Sequence, residues 1–181
     1  MIAVPARYGT SLFDCLLAQA EAMGGGAYGM EALNVLRIEK GHITHAEIHG
    51  TTTAFDIGFA RMVSAKKDCI GKTMAARSGL VDENRGQLVG LKPLQPDQEM
   101  YAGSHLFERG APARRVNDQG YVTSVAYSPT LGHAIGLGFL DRGRARHGEI
   151  VRLVEALRGH EMLCEVCDPV FVDVEGTRLR D

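Results

Sequence analysis

Gly120-Tyr-Val-Thr-Ser-Val-Ala-Tyr-Ser-Pro-Thr-Leu-Gly132, followed directly by His133-Ala-Ile-Gly-Leu-Gly-Phe-Leu140, holds two apolar runs broken by a Ser-Pro-Thr-Leu-Gly turn. Branched and aromatic residues on either side of a proline and glycine break read as two neighbouring strands. The same texture extends in both directions. Apolar runs at 87–91, 104–107, 149–157, 161–166 and 170–174 are separated by turns of glycine, proline and asparagine. Six or seven strands at this spacing predict a closed or sandwiched antiparallel sheet. Gly136 and Gly138, inside one run, predict a bulge or a sharp bend.

The first half reads differently. Leu12, Phe13, Leu16, Leu17, Ala20 and Met23 recur at helical spacing, with Thr10 or Ser11 as cap, Asp14 completing a shortened capping box, and Gly24-Gly25-Gly26 as the stop. A second helix is predicted over 30–40, apolar around much of its circumference and so buried, with Gly41 ending it. Arg37 falls three and four residues from Asn34 and Leu33 and shares a face with Met30 and Leu33. A guanidinium among apolar residues needs a carboxylate, either internal, such as Glu39 or Asp56, or on a ligand. Two short helices cannot shelter each other fully. Residues 1 to about 40 therefore read as the tail of a larger domain, with a face that needs a partner. Residues 42–63 give only weak strand and loop signals, and Asp68 caps a predicted helix through 77 with Gly79 as its stop.

Composition excludes several functions. A chain of 181 residues with 45% hydrophobic content can bury a sizeable core, and a net charge of −2 with a pI near 6.4 gives no electrostatic case for nucleic acid or a membrane surface. Arg142, Arg144 and Arg146, beside Asp141 and Glu149, read as a solvated loop. No run of eighteen apolar residues and no signal-peptide pattern occurs, which implies a cytoplasmic chain. Cys164 and Cys167 form a Cys-x-x-Cys pair, but on a strand residues three apart point to opposite faces, which prevents chelation. His42, His45 and His49 would align on a helix, yet Gly41, Ile43, Thr44, Ile48 and Gly50 argue against one, so no metal is expected there. Ile70-Gly-Lys-Thr73 looks like the end of a phosphate-binding loop, but Lys66 stands where its first glycine belongs.

Five motifs occur in order: Leu36-Arg-Ile-Glu-Lys-Gly41, Lys66-Lys-Asp-Cys-Ile-Gly-Lys72, Leu88-Val-Gly-Leu91, the 120–132 stretch, and Asp168-Pro-Val-Phe-Val172. Together they make the chain resemble the folate-dependent aminomethyltransferase family, the glycine cleavage T-protein and its relatives. Lys40 in the first motif, and Glu175-Gly-Thr-Arg-Leu179 after the last, are most similar to the C-terminal part of its sarcosine oxidase alpha subunit branch. The resemblance implies an α+β chain: residues 1–80 as the end of a folate-binding domain, its helical tail, and 81–181 as an antiparallel C-terminal β-barrel. It further implies tetrahydrofolate as cofactor, bound in a cleft between the two, with Arg37 contacting the folate and Glu39 orienting it. Tyr28 matches the aromatic before the arginine helix, and Tyr127 belongs to the barrel motif. The implied chemistry is one-carbon transfer from an N-methyl amine, oxidised at a flavin elsewhere, to tetrahydrofolate. The family's catalytic aspartate and its pterin-gripping glutamate lie upstream of this sequence, so no catalytic residue and no flavin site is expected here. The expected partners are folate and the remaining oxidase or aminomethyltransferase regions or subunits. The other possibility is a non-catalytic module that docks with them. One local departure is Ala46-Glu47-Ile48-His49-Gly50-Thr51, where the oxidases carry a more acidic loop.

Overall fold

The computed structural model describes residues 2–64 and 66–180, and the chain divides into two compact units, one ending at Leu33 and the other beginning at Asn34. In the first unit a 3₁₀ turn, Ala6–Tyr8, leads into helix α1, Gly9–Ala22. Tyr8 is its N-cap and no side chain caps it. Thr10 and Ser11 therefore sit inside the first turn, because the turn begun at Pro5 already presents its carbonyls to the incoming helix. Gly24, at φ 79°, terminates the helix as expected. No residue of α1 is buried, and Phe13 and Leu16 are about half exposed.

Helix α2, Met30–Glu39, spans the division between the units. Its length agrees with the sequence, but its burial does not: Met30, Leu33 and Leu36 are exposed, and only Ile38 and Glu39 are buried. Only its last turn, which itself belongs to the second unit, is covered.

That unit is a closed barrel of six antiparallel strands. They are β1, Gly86–Pro93; β2, His105–Glu108; β3, Gly120–Ser128; β4, His133–Asp141; β5, Ile150–Glu155; and β6, His160–Cys167, in the circular order β1-β4-β3-β2-β5-β6. Closure leaves no edge strand. Inward residues, among them Val89, Leu91, Leu106, Val122, Val151, Leu153, Cys164 and Val166, fill the interior. Leu88, Ile135, Leu137 and Phe139 point outward instead and pack with Ile38, Ile43 and Ile57. Strand β4 is thus buried on both faces, which explains its unbroken apolar run.

Two other expectations are corrected. The seventh apolar run, 170–174, is not a strand but a strap along the end of α2, with the Phe171 and Val172 N–H groups donating to the Glu39 carbonyl. The helix anticipated from Asp68 to Arg77 shrinks to a single turn, α3, Lys72–Ala75, entered through Gly71 at φ 90° with no side-chain cap. Asp68 caps nothing because the left-handed glycine resets the chain direction just before the helix starts. The Arg142 to Arg146 stretch is the exposed loop expected, with added ties: Arg144 donates to the Phe55 carbonyl at 2.8 Å, and Arg146 clasps Glu149 at 2.6 Å and 2.7 Å.

Cys164 lies in the barrel interior, whereas Cys167 lines an outer cleft with Phe171, so their side chains take opposite faces. Burial, the larger cause, pushes the Cys164 thiol up to about 12. Among the described residues no group of three or more histidine, cysteine or acidic side chains could hold a metal ion, and no helix is long and apolar enough to cross a membrane.

One glycine tests the barrel's packing. A Cβ on Gly120, at φ 155°, would stand 1.9 Å from the Phe139 carbonyl oxygen, whereas one on Gly132, at φ 76°, meets nothing. Gly120→Ala should cost about 2 kcal/mol or more in urea unfolding and Gly132→Ala about 1 kcal/mol.

Candidate functional site

The site grows from the way α2 ends. Gly41, at φ 70°, takes the left-handed position after the helix, with the His42 N–H donating to the Arg37 carbonyl and the Gly41 N–H to that of Ile38. Only glycine fits, since a Cβ there would meet the Pro169 carbonyl oxygen at 2.7 Å. This termination presses Ile38 into the outer apolar cluster of the barrel. Arg37 and Glu39, on either side of Ile38, then reach two serines four residues apart on β3.

Arg37 donates from Nη2 to Ser124 Oγ at 2.8 Å, from Nε to Asn34 Oδ1 at 2.9 Å, and from Nη1 to the His42 carbonyl at 3.3 Å. Its acidic partner is Glu47, at 3.4 Å from Nη1, and neither Glu39 nor Asp56. Asp56 is held by Arg85 through two bonds of 2.9 Å and 2.7 Å. Glu39, also buried, accepts from Ser128 Oγ at 2.5 Å, so it fixes the helix end on the strand and does not face Arg37's charge. Lys40 pairs with Asp173 of the strap at 3.1 Å.

Glu47 has no exposed surface. Its Oε1 accepts from Ser124 Oγ at 2.5 Å and from Thr123 Oγ1 at 2.7 Å, and its Oε2 from the Thr44 N–H at 2.8 Å and Thr44 Oγ1 at 3.2 Å. Consecutive strand residues normally point to opposite faces, yet Thr123 and Ser124 both reach one carboxylate. A bulge explains it. The β3–β4 register slips between Val122, opposite Gly138, and Ser124, opposite Leu137, leaving Thr123 as the extra residue. Gly138 permits the close approach, since a Cβ there would lie 2.7 Å from the Tyr121 carbonyl oxygen. The irregularity anticipated at Gly136 and Gly138 lies instead on the facing strand, at Thr123, next to the Val122–Gly138 pair.

Burial alone would raise the Glu47 carboxyl's pKa. The hydrogen bonds from Ser124, Thr44 and Thr123, with the Arg37 charge, outweigh it and hold the group below the usual glutamate range. Arg37 is left with one Nη2 hydrogen uncommitted and a side chain 14% exposed. It can therefore offer an outside anion one hydrogen bond, and not the two-pronged grip of a free guanidinium.

The other anticipated residues are distributed as follows. Tyr127 sits on β3 next to Ser128 and is exposed, and the alternation of the strand directs its ring to the face opposite the Ser128–Glu39 contact. Tyr28 belongs to the first unit and is also exposed. His42, His45 and His49 do not converge; His49 lies 3.0 Å from Tyr121 Oη and 2.9 Å from Thr51 Oγ1. Sequence reasoning missed Glu47, Thr123 and Ser124. The available signal was a serine inside an apolar strand, unexplained unless a buried polar partner meets it.

The model of the glycine cleavage T-protein C-terminal barrel domain matches residues 87–173, and that of the GCVT N-terminal domain matches 2–67. The chain is similar to sarcosine oxidase subunit alpha of Rhizobium meliloti (strain 1021), at 50% identity over 98% of this chain and 18% of that protein. It is similar to the same subunit of Corynebacterium sp. (strain U-96) at 33% identity, again over 98% and 18%. The aminomethyltransferase of Bdellovibrio bacteriovorus shows 28% identity over 89% of this chain and 43% of its own. The crystal structure of the glycine cleavage system aminomethyltransferase T from Bartonella henselae superposes with a TM-score of 0.65 at 26% identity, over 78% of this chain and 38% of that one. The sequence thus spans less than one fifth of the sarcosine oxidase subunits it matches.

Glu47 carries the prediction from this geometry. Glu47→Gln should destabilise the chain by about 3 kcal/mol or more at pH 7, because it removes the charge that balances Arg37 and turns one oxygen, which accepts from at least two donors, into a further donor. Its folded pKa is depressed, so its contribution is complete above the unfolded value of roughly 4.3 and is lost as pH falls through the folded value. The stability gap between wild type and Glu47→Gln, measured by urea unfolding from pH 7 to pH 3, should therefore narrow below about pH 4.

Proposed function

Because the chain belongs to the glycine cleavage T-protein (aminomethyltransferase) family, we propose that it is the C-terminal portion of a sarcosine oxidase alpha-type aminomethyltransferase region. In this reading it contributes to one-carbon transfer from an N-methyl amine to tetrahydrofolate in the cytoplasm. The observation that carries the proposal is 50% identity to such a subunit over nearly the whole sequence. Residues 1–80 would close a folate-binding domain and 81–181 would form the barrel beside it. Tetrahydrofolate, when bound, supplies the nitrogen that receives the one-carbon unit.

The residues present fit an edge of such a site. Arg37 would give its one uncommitted N–H to a folate carboxylate, held in direction by Asn34, Ser124 and Glu47. Glu39 would act by holding the helix end through Ser128, and the exposed Tyr127 ring would be available for stacking, while a folate role for Tyr28, which is exposed on the first unit, rests on the family resemblance alone. A second reading, a docking module for the remaining regions or subunits, is favoured by the exposed apolar residues Phe13, Leu16, Met30 and Leu36. The two readings are compatible in one assembly.

A single charge-assisted hydrogen bond contributes roughly 1.5–3 kcal/mol, so this sequence alone should bind tetrahydrofolate no better than about millimolar. Titration followed by NMR should shift the Arg37 Nε–Hε and Tyr127 ring signals, and formaldehyde should yield no methylenetetrahydrofolate above the buffer rate. Undisturbed Arg37 signals at saturation would contradict the assigned contact. Micromolar affinity would contradict the part-site reading.

A further inference from the structure

A cavity of about 310 Å³ opens between the loop after α2 and the barrel, within the second unit, and the folate reading makes no use of it. One wall is aromatic. Phe139 meets the His49 ring edge-on at 6.2 Å between centroids and the Tyr121 ring at 5.9 Å, tilted by 36°. His49 is held on both nitrogens, by Tyr121 Oη at 3.0 Å and Thr51 Oγ1 at 2.9 Å, so the wall is fixed before any ligand arrives.

Arg85 also lines the cavity, and four of its five N–H donors are spent elsewhere. Nε and Nη2 grip Asp56, Nη2 also donates to the Thr51 carbonyl at 2.9 Å, and Nη1 to that of Gly79 at 3.4 Å. What such a guanidinium still offers is one Nη1 hydrogen and its flat face, which stacks on aromatic rings. Its charge is matched by Asp56, so the cavity as a whole is electrically balanced. A charged ligand would enter without a free counter-ion, and burying an unpaired charge is costly.

We propose that this cavity is a binding site for a planar, uncharged aromatic ligand with an amide-like donor and acceptor, the ring lying between the aromatic wall and the Arg85 face. The polar group would meet the hydroxyls of Tyr121 and Thr51, each of which keeps hydrogen-bonding capacity beyond His49. The volume is at the small end for ligand sites, which limits the occupant to a compact ring system.

Three isosteric probes separate shape from charge: benzamide, benzoate and benzamidine, titrated into the 181-residue chain with the ring signals of His49 and Tyr121 observed by NMR. Benzamide should saturate and shift both rings, with the charged isosteres about tenfold weaker, and Tyr121→Phe should weaken benzamide several-fold without lowering the melting temperature. Equal affinity for all three probes would overturn the proposal, as would the absence of saturation or indifference to Tyr121→Phe. Displacement of benzamide by tetrahydrofolate would overturn the independence of this cavity from the folate site. Failure of folate binding itself would leave the benzamide result standing.

Discussion

A carboxylate with no exposed surface, Glu47, joins the end of α2 and the loop after it to strand β3, which it meets at Ser124, 77 residues further along the chain. Burying it is tolerable only because every lone-pair direction is met by a donor, including one full positive charge. That condition fixes the rest. Arg37 must turn toward the barrel, Ser124 must accept from Arg37 while donating to Glu47, and β3 must bulge so that Thr123 can join. Gly138 is required opposite the bulge for the same reason.

Around this polar centre the apolar packing is arranged in two shells. The barrel interior closes on itself, while Leu88, Ile135, Leu137 and Phe139 of the outer shell depend on Ile38, Ile43 and Ile57 for cover. The strap from Asp168 to Asp173 completes that cover by bonding the Glu39 carbonyl and pairing with Lys40. Glu47 and Glu39 thus act as two pins, one to Ser124 and one to Ser128, on either side of the Ile38 contact.

The barrel was legible in the sequence because its strands are short, apolar and punctuated, and six of the seven runs are strands. The seventh, at 170–174, has strand-like composition but finds its hydrogen-bond partner in a helix end, a long-range fact that no local pattern carries. Arg37's need for an acidic partner was also legible. Which acid was not, since Glu47 lies ten residues away in a loop without regular structure, and Glu39 and Asp56 were equally plausible by charge. The burial of α2 was misread because an apolar composition does not say which surface is covered, and Met30, Leu33 and Leu36 are exposed.

For function the consequence is that Arg37 is positioned before any ligand binds, with its charge already balanced. A folate carboxylate would meet an oriented donor at an edge of the site. The measurement that bears most directly on this arrangement is a double-mutant cycle between Glu47→Ala and Ser124→Ala, read from urea unfolding at pH 7. Two groups sharing one buried network should show a coupling energy of about 1 kcal/mol or more. Additivity within about 0.5 kcal/mol would mean that Glu47 and Ser124 act independently, and would contradict the carboxylate-centred junction.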